Sequence, residues 1–293
     1  MNRHLAIAAA ASLAGLATPC FAQDAEIVSV AGIPLSTEPE KSVFDDNWLA
    51  IGFGVQLDTS YDGSNDYVFK PLPIIGGEIA GIQFSPRASG FGIDLVEFDV
   101  TPRIGVTLGP VLKLRGDRSG SFEDPVVEAA GELERAIEIG VSTRVSIREV
   151  LHTYDRINIG VDVRWDVKGA HSGRTIAPGI SYRTPLSRGS IAALSLKAYH
   201  ADGDFNDYYF TVDEDQSAAS GLPLYEADAG WYKAGAKFSL GFALDGDLED
   251  RGFVIGAQVG YQRMLGDGAQ TPFTDIRGNR NQFKAATGIG YIF

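Results

Sequence analysis

Cysteine is almost absent from this sequence: 293 residues contain one, Cys20. It lies in an N-terminal segment that has the features of an export signal, so we expect the mature chain to have no thiol. That absence excludes disulfides, thiolate catalysis and cysteine-based metal sites. Basic residues are also few, with 25 Lys and Arg against 38 Asp and Glu, which disfavours nucleic acid as a partner.

Long apolar runs are missing as well, except near the N-terminus. Arg3 and His4 precede an apolar run from Leu5 to Ala17, which is too short to span a bilayer and predicts a signal peptide over residues 1–22, cleaved after Ala22. A lipoprotein with Cys20 as the lipidated residue is the alternative, and Thr18 and Pro19 fit it poorly. The mean hydropathy of −0.02 argues against helical membrane spans and permits a β-barrel.

The mature chain instead shows two-residue alternation of apolar and polar residues over long segments. The clearest runs from Arg156 to Val167, where apolar Ile157, Ile159, Val161 and Val163 alternate with polar or small residues. Such a pattern requires an apolar medium on one side of a strand and water on the other. A soluble β-sandwich also alternates, but several of these runs exceed the usual strand length in soluble proteins.

Counting these segments predicts a closed antiparallel transmembrane β-barrel of twelve strands over residues 48–293, with ten as the alternative. Residues 23–47 are predicted to be a periplasmic N-terminal extension without a domain of its own. An even strand number places both chain ends in the periplasm. The predicted periplasmic turns are short, namely Gly76–Gly77, Asp99–Pro102, Arg148–Thr153, Pro185–Ser190 and Asp245–Arg251, and the three longest connections, 116–132, 202–229 and 266–281, are predicted to face outward. Helical turns are expected only between Asp124 and Arg135.

The last predicted strand carries an assembly signal. Ile289, Tyr291 and Phe293 share its apolar face, and an aromatic residue that closes an alternating strand is the feature by which barrel assembly machinery recognises outer-membrane proteins. Together with the export signal, it predicts the outer membrane of a Gram-negative cell, reached through the periplasm.

One run has the form of a family motif: Thr59-Ser60-Tyr61-Asp62-Gly63-Ser64-Asn65-Asp66-Tyr67, leading into Pro71-Leu72-Pro73. It resembles the N-terminal signature of the MltA-interacting protein family (MipA/OmpV), although Ser60 replaces the proline usual before the first tyrosine. Later matches, from Tyr209-Phe210 to the closing Gly288, Gly290, Tyr291 and Phe293, extend the resemblance over nearly the whole mature chain. The motif residues Tyr61, Gly63, Ser64, Asp66, Tyr67, Pro71 and Pro73 are predicted to form the first outward loop and the start of its second strand.

This resemblance implies an outer-membrane protein that bridges a murein-degrading lytic transglycosylase and a bifunctional murein synthase. Other members are described as porin-like proteins or adhesins. In the loop itself, Gly63 and Asn65 suit positive backbone angles, and Tyr61 and Tyr67 are expected at the membrane interface. A purely structural role for the motif, in folding the loop, is the alternative.

Eight charged residues are predicted to point into the lumen: Arg144, Arg148, Arg156, Asp162, Arg164, Asp166, Lys233 and Lys237. A network of ion pairs that stiffens the barrel explains them better than a conducting channel does. No catalytic residue, cofactor or metal is predicted. His152, His171 and His200 lie in no nucleophile motif, the acidic clusters at 202–207 and 245–250 lack a complete calcium loop, and Arg115-Gly116-Asp117 is a three-residue match that arises easily by chance.

Three functions therefore remain open on the sequence. The first is a non-enzymatic platform for cell-wall enzymes, contacted through the periplasmic turns and the N-terminal extension. The second is a narrow solute pore, and the third is an adhesin that acts through residues 202–229.

Overall fold

The computed structural model describes residues 42–87, 90–120 and 123–293, and the predicted signal peptide and most of the N-terminal extension lie outside these ranges. The chain forms one sheet of long antiparallel strands. Their bounds are β1 (Trp48–Thr59), β2 (Tyr67–Ile79), β3 (Ile82–Arg87), β4 (Gly90–Asp94), β5 (Val96–Thr101), β6 (Ile104–Arg115), β7 (Ala136–Arg148), β8 (Arg156–Asp166), β9 (Arg174–Ser187), β10 (Ser190–Ala201), β11 (Gly230–Ala243), β12 (Gly252–Met264) and β13 (Asn281–Ile292).

The sheet closes on itself as a twelve-stranded barrel. Consecutive strands pair from β1 to β4 and from β5 to β13, and β13 pairs with β1, with Phe53 opposite Ile289. Strands β4 and β5 both pair with β6 and are two segments of one bent strand, joined at Leu95, whose amide donates to the Leu108 carbonyl at 3.1 Å. The register advances by one residue between the segments, as a β-bulge requires. The predicted closed, all-β, twelve-stranded fold is confirmed.

The barrel has an apolar outer face and a polar inner face, because neighbouring residues of a strand point to opposite sides. Along β1, Ile51 and Phe53 are exposed on the outside, whereas Ala50 is buried on the inside. Large apolar side chains remain exposed on the outer face around the ring, including Leu114, Ile159, Phe238 and Phe283. A continuous apolar belt of this kind fits contact with lipid. Among the described residues, no helix is both long and apolar enough to cross a membrane.

The connections at the two ends of the barrel differ. One end, here called the turn end, has the tight connections 80–81, 102–103, 149–155, 188–189 and 244–251. The other, here called the loop end, carries the connections 60–66, 116–135, 167–173, 202–229 and 265–280. The loop end also holds the helices α1 (Pro125–Ala129), α2 (Gly203–Phe210), α3 (Glu214–Ser220), α4 (Gly266–Gln270) and α5 (Pro272–Asp275). The three longest connections share one end, as predicted, and helical turns do occur between Asp124 and Arg135. The expectation that they occur only there is wrong, because α2 to α5 lie in the connections 202–229 and 265–280.

The first predicted turn is wrong. Gly76 and Gly77 lie within β2, and the chain reverses at Ala80 and Gly81, which both have positive φ (55° and 76°), as a tight hairpin requires. The glycine at 77 serves close packing instead, because a Cβ there would lie 2.5 Å from the Trp48 carbonyl oxygen. Gly77 therefore marks close packing against the neighbouring strand β1 and not a turn.

At the turn end, the residues just before β1 dock onto the barrel. A 3-10 helix (Val43–Asp45) is capped by Ser42, and the Val43 amide donates to the Glu249 carbonyl at 2.8 Å. Phe44 packs edge-on against Trp48, with ring centroids 5.0 Å apart. This part of the predicted N-terminal extension is thus attached to one half of the barrel mouth.

Candidate functional site

The family-motif loop 60–66 folds into the barrel mouth. Tyr61 is buried, its hydroxyl donates to the Phe273 carbonyl at 3.2 Å, and it packs with Val127 of α1. The expectation that Tyr61 lies at the membrane interface is therefore wrong, because the loop turns inward and buries the ring among the other loops. Tyr67, in contrast, is exposed on the outer face at the start of β2.

Within this loop, Gly63 has the predicted positive φ, 103°, and a Cβ there would lie 2.1 Å from the Thr274 hydroxyl. Its carbonyl accepts the Asn279 amide at 2.8 Å, which ties the loop to the connection 265–280. Asn65 is not among the residues with positive φ, so that expectation is wrong. The buried Ser64 hydroxyl accepts the Asp66 amide at 2.9 Å and closes the turn instead.

Asp62 is the ionic anchor of the loop. Its carboxylate pairs with Lys233 of β11 and lies 4.0 Å from Arg115 of β6, while its backbone amide donates to Asp117 at 2.8 Å. Burial alone would raise the pKa of Asp62, but Lys233 and the neighbouring Lys284 and Arg115 outweigh it and hold this pKa well below its usual range. The sequence comparison drew attention to the residues flanking Asp62 and missed Asp62 itself.

A second buried cluster lies beside this anchor, around Glu138 of β7. Glu138 is fully buried and pairs with Arg115, while the Arg164 Nε donates to its other carboxylate oxygen at 2.9 Å. His171 lies 3.6 Å from the same carboxylate. Two guanidinium groups around one buried carboxylate, joined to Asp62 through Arg115, link β6, β7, β8 and the loop 60–66.

Aromatic rings fill the space above these charges. Phe205 and Tyr209 of α2 lie over the Arg115 guanidinium, with centroids 4.7 Å and 5.6 Å from its central carbon. Tyr232 packs against Phe205 at 5.0 Å. Tyr232 shares the two-residue alternation of Phe238 and Phe242, which by itself predicts the lipid face. That prediction is wrong, because the register shift between Tyr199 and His200 is a bulge that turns Tyr232 inward.

The loop 116–135 completes this plug, a name used below for the packed loops 60–66, 116–135, 202–229 and 265–280. The Arg118 guanidinium lies 3.8 Å from the Phe273 ring centroid, and burial lowers the Arg118 pKa to about 10. Arg277 donates to Asp124 at 2.9 Å and 3.1 Å across the loop end. The tripeptide Arg115-Gly116-Asp117 is part of the plug and not a displayed adhesion motif, since Arg115 is buried and Asp117 accepts the Asp62 amide.

Seven of the eight predicted lumen charges have three kinds of surroundings. Arg164 and Lys233 belong to the clusters just described, and Asp162 accepts from Lys197 and Ser142, each at 2.7 Å. At the turn end, Arg148 pairs with Asp99 at 2.8 Å, and Arg156 is buried opposite it. Asp166 is not a lumen charge of this network: it caps the connection 167–173 by accepting backbone amides of Lys168, His171 and Ser172.

Arg144 and Lys237 form the third kind. Both line a cavity of about 930 Å³ beneath the plug. No ion pair or hydrogen bond joins either side chain to another residue within the described ranges. The cavity wall as a whole carries five basic residues (Arg144, Arg183, Lys197, Lys237 and Lys284) and one acidic residue, Asp162.

The three histidines have different surroundings. The His152 ring is 2.7 Å from the Thr184 hydroxyl at the turn end, His171 lies in the plug, and the His200 ring packs against Trp231. The acidic clusters serve local structure. Asp202 caps α2 through the Phe205 amide at 3.3 Å, and Asp247 pairs with Arg188 at 2.6 Å. In the part of the chain that the structure describes, no three His, Cys, Asp or Glu side chains are grouped as metal ligands.

The turn end is ordered around one carboxylate. Asp155 accepts the backbone amides of Val150 and Leu151 at 2.6 Å and 2.9 Å and the Tyr182 hydroxyl at 2.8 Å. Burial raises its pKa, but these hydrogen bonds outweigh that effect and lower it. The fixed turn leaves Leu151 77% exposed, more than any other large apolar side chain in the described ranges.

The predicted assembly signal lies at the barrel closure. Ile289 and Phe293 are exposed on the outer face, Tyr291 packs against Phe253 with centroids 4.9 Å apart, and the Phe293 amide donates to the Leu49 carbonyl at 2.9 Å. Its role in assembly stays a prediction. Pro71 and Pro73 of the motif lie on the outer face of β2.

Comparison with known proteins gives one family and a set of loosely similar structures. The sequence profile of the MltA-interacting protein MipA matches residues 51–293. None of the curated proteins matches the chain. An outer membrane channel from Pseudomonas putida F1 aligns over 90% of this chain and 100% of its own, with 11% identity and a TM-score of 0.42. The outer membrane channel DcaP of Acinetobacter baumannii aligns over 85% and 96%, with 7% identity and a TM-score of 0.38. At these values the likeness transfers no property of those channels to this chain.

Proposed function

This chain belongs to the MltA-interacting protein MipA family, and on that premise we propose that it is a non-enzymatic outer-membrane barrel that serves as an assembly platform for murein enzymes. The family description names an interaction with MltA, and the resemblance described above implies a lytic transglycosylase and a bifunctional murein synthase as partners. The outer-membrane location agrees with the closed barrel and its apolar outer face.

The observation that carries the proposal is the difference between the two ends. At the loop end, the long connections form the plug, whose ionic and aromatic contacts lie inside the barrel. Outer-membrane barrels have their short turns on the periplasmic side, which assigns the turn end to the periplasm. There, the turn closed by Asp155 holds Leu151 in an exposed position. An ordered turn that presents an apolar side chain suits a protein contact, because little conformational entropy is lost on binding.

The experiment is capture of a purified lytic transglycosylase by the mature barrel in detergent. We expect Leu151→Asp to weaken capture roughly tenfold, as removal of one buried apolar contact from an interface does. The matched control is Leu224→Asp, which changes a residue 63% exposed at the loop end and should leave capture unchanged. Both variants should keep the gel mobility shift between boiled and unboiled samples that marks a folded barrel. Equal loss in both variants, or no capture by the unaltered chain, would contradict the proposal.

A narrow solute channel is the second candidate, and the polar cavity favours it. Conductance in planar bilayers separates the two functions: discrete, reproducible openings support a channel, whereas silence together with capture supports the platform. The packing of residues 202–229 disfavours the adhesin. Phe205, Tyr209 and Phe210 of that connection are buried in the plug, so deleting it should damage the barrel instead of removing only a surface-binding loop.

A further inference from the structure

The barrel wall has an opening on one side. Strand β2 pairs with β1 along its length, from Tyr67 to Glu78, but with β3 only through Gly77, Glu78 and Ile79. The β3–β4 hairpin is short, and its last paired residues are Arg87 and Gly90. If the β2–β3 register continued, Arg87 would lie level with Ile74, so residues 67–73 of β2 extend beyond the described part of the hairpin, and no described strand pairs with them on that side.

Prolines follow this unpaired edge. Pro71 and Pro73 lie in the part of β2 that has no partner on the β3 side, and Pro86 lies in β3 where its pairing to β2 has ended. Proline cannot donate a hydrogen bond to a neighbouring strand and is found in sheets at edges and at bulges. The sequence therefore keeps this edge from being paired.

The cavity reaches the outside through this gap. Its lining includes residues of the three elements that border the gap: Pro71 and Pro73 of β2, Pro86 and Phe91 of the β3–β4 hairpin, and Leu114 of β6. Leu114 is 73% exposed on the lipid side. One continuous space thus joins the polar lumen to the apolar surroundings of the barrel, and we call its outer mouth the side opening, bounded by Pro71, Pro73, Pro86, Phe91 and Leu114.

The two ends of this space differ in chemistry. The side opening is apolar, whereas the inner wall carries five basic residues and one acidic residue, in a chain whose net charge is −13. Asp162 pairs with Lys197, and Lys284 pairs with Asp58 at 2.7 Å, but Lys237 and Arg144 have no such partner in the described parts of the chain. Cations held inside a cavity without counter-ions favour an anionic ligand. The volume of about 930 Å³ lies in the range of small-molecule sites.

We propose that the side opening admits a single-chain amphiphile from the bilayer into the lumen, where Lys237 and Arg144 bind its anionic head group while its chain lies along the side opening. The barrel then binds a lipid-derived anion laterally, independently of any contact made at the turn end. The plug lies above this route and does not have to move.

The first test measures binding of a fluorescent C16 carboxylate to the mature barrel in a non-ionic detergent. Its methyl ester serves as the uncharged probe. Because each change removes one charged hydrogen-bond donor from the head group, we expect Lys237→Gln or Arg144→Gln to weaken carboxylate binding roughly tenfold and to change ester binding by less than about twofold. The matched control is Lys168→Gln at the loop end, where Lys168 pairs with Glu134, and it should have no effect.

The second test concerns the route. The mature chain has no cysteine, so Leu114→Cys can be labelled with a bulky thiol reagent, and Phe238→Cys on the outer face of β11 is the matched control. Labelling at position 114 should slow uptake of the carboxylate from lipid vesicles at least severalfold, while labelling at position 238 should not. The proposal is overturned if the carboxylate does not bind saturably, if acid and ester bind equally in all variants, or if the label at 114 leaves uptake unchanged.

Discussion

Replacing Asp62 by Asn tests whether the ion pairs of the family-motif loop hold the plug closed. The change preserves the shape of the side chain and removes the charge that Lys233 and Arg115 share. Arg115 keeps Glu138, but Lys233, which is 5% exposed, loses its paired carboxylate. It keeps the faces of Tyr199 and Tyr232, at 5.0 Å and 5.5 Å, and the weaker attraction of Asp117. Leaving a buried charge without its partner typically costs about 3–5 kcal/mol.

This loss should be local, because the strand pairs of the barrel do not involve Asp62. At about 1.4 kcal/mol per factor of ten, the plug should open roughly 100-fold to several-thousand-fold more often. The readout is hydrogen exchange at the amide of Asn279, which donates to the Gly63 carbonyl, and at the amide of Leu133, which donates to the Arg118 carbonyl. Amides in the middle of the barrel strands should keep their protection.

Asp66→Asn is the matched control, four residues away in the same loop. Burial, together with Glu123 and Asp124, raises the pKa of Asp66, so removing its charge should leave the plug unchanged or slightly more stable. Equal exchange in the two variants, or an Asp62→Asn plug as protected as the unaltered one, would refute this role of the ion pairs. The low pKa of Asp62 also means that its contribution is present above the usual aspartate pKa and is lost only as the pH falls through the lower, folded-state value.

Three further predictions concern the plug and the turn end. Gly63→Ala should loosen the plug, because the added Cβ would meet the Thr274 side chain, and hydrogen exchange at the Asn279 amide should become faster. The control is Gly221→Ala, at φ 74° with open space around it, which should cost only about 1–2 kcal/mol of stability through backbone strain. Phe205→Ala should destabilise the folded barrel by about 3–5 kcal/mol in urea unfolding from lipid vesicles, and an effect below about 1 kcal/mol would contradict its place in the core. Burial and, second, the neighbouring Asp247 raise the pKa of Glu249 to about 7, above its ordinary value. Docking of the 3-10 helix should therefore be strongest at acid pH and weaken as the pH rises through 7. Trp48 fluorescence, measured in a chain whose other tryptophans are replaced by Phe, should show a midpoint near this pH, and Glu249→Gln should abolish it.

Most of the barrel could be predicted from the sequence, since strand existence follows from alternation alone. Strands such as Ile104–Arg115 and Gly230–Ala243 lie within a few residues of where alternation predicted them. The prediction failed where the same local residue pattern is compatible with two different structures. Gly76–Gly77 has the composition of a turn but serves close backbone packing, and Tyr232 follows the alternation but is turned inward by a bulge.

The candidate site was less predictable. Charges on inward-facing positions were visible, but which of them pair was not, because partners such as Lys233 and Asp62 are 171 residues apart in sequence. The family resemblance identified the loop 60–66, but the expected position of Tyr61 at the membrane interface was wrong. Nothing in residues 59–67 themselves shows that they fold into the barrel. The sequence pattern also did not distinguish Lys237 and Arg144, which form no ion pair within the described residues, from the charges that do.

What the sequence determined by itself is the closed antiparallel sheet with an apolar outside and a polar inside, because a period of two assigns each residue to one side of a strand. The tertiary structure alone decided that the loops fill one mouth, that Asp62 and Glu138 neutralise cations from distant strands, and that the short β3–β4 hairpin leaves a gap beside β2. These features depend on which strands are neighbours across the barrel and on where each ends, and side-chain alternation carries no information about either.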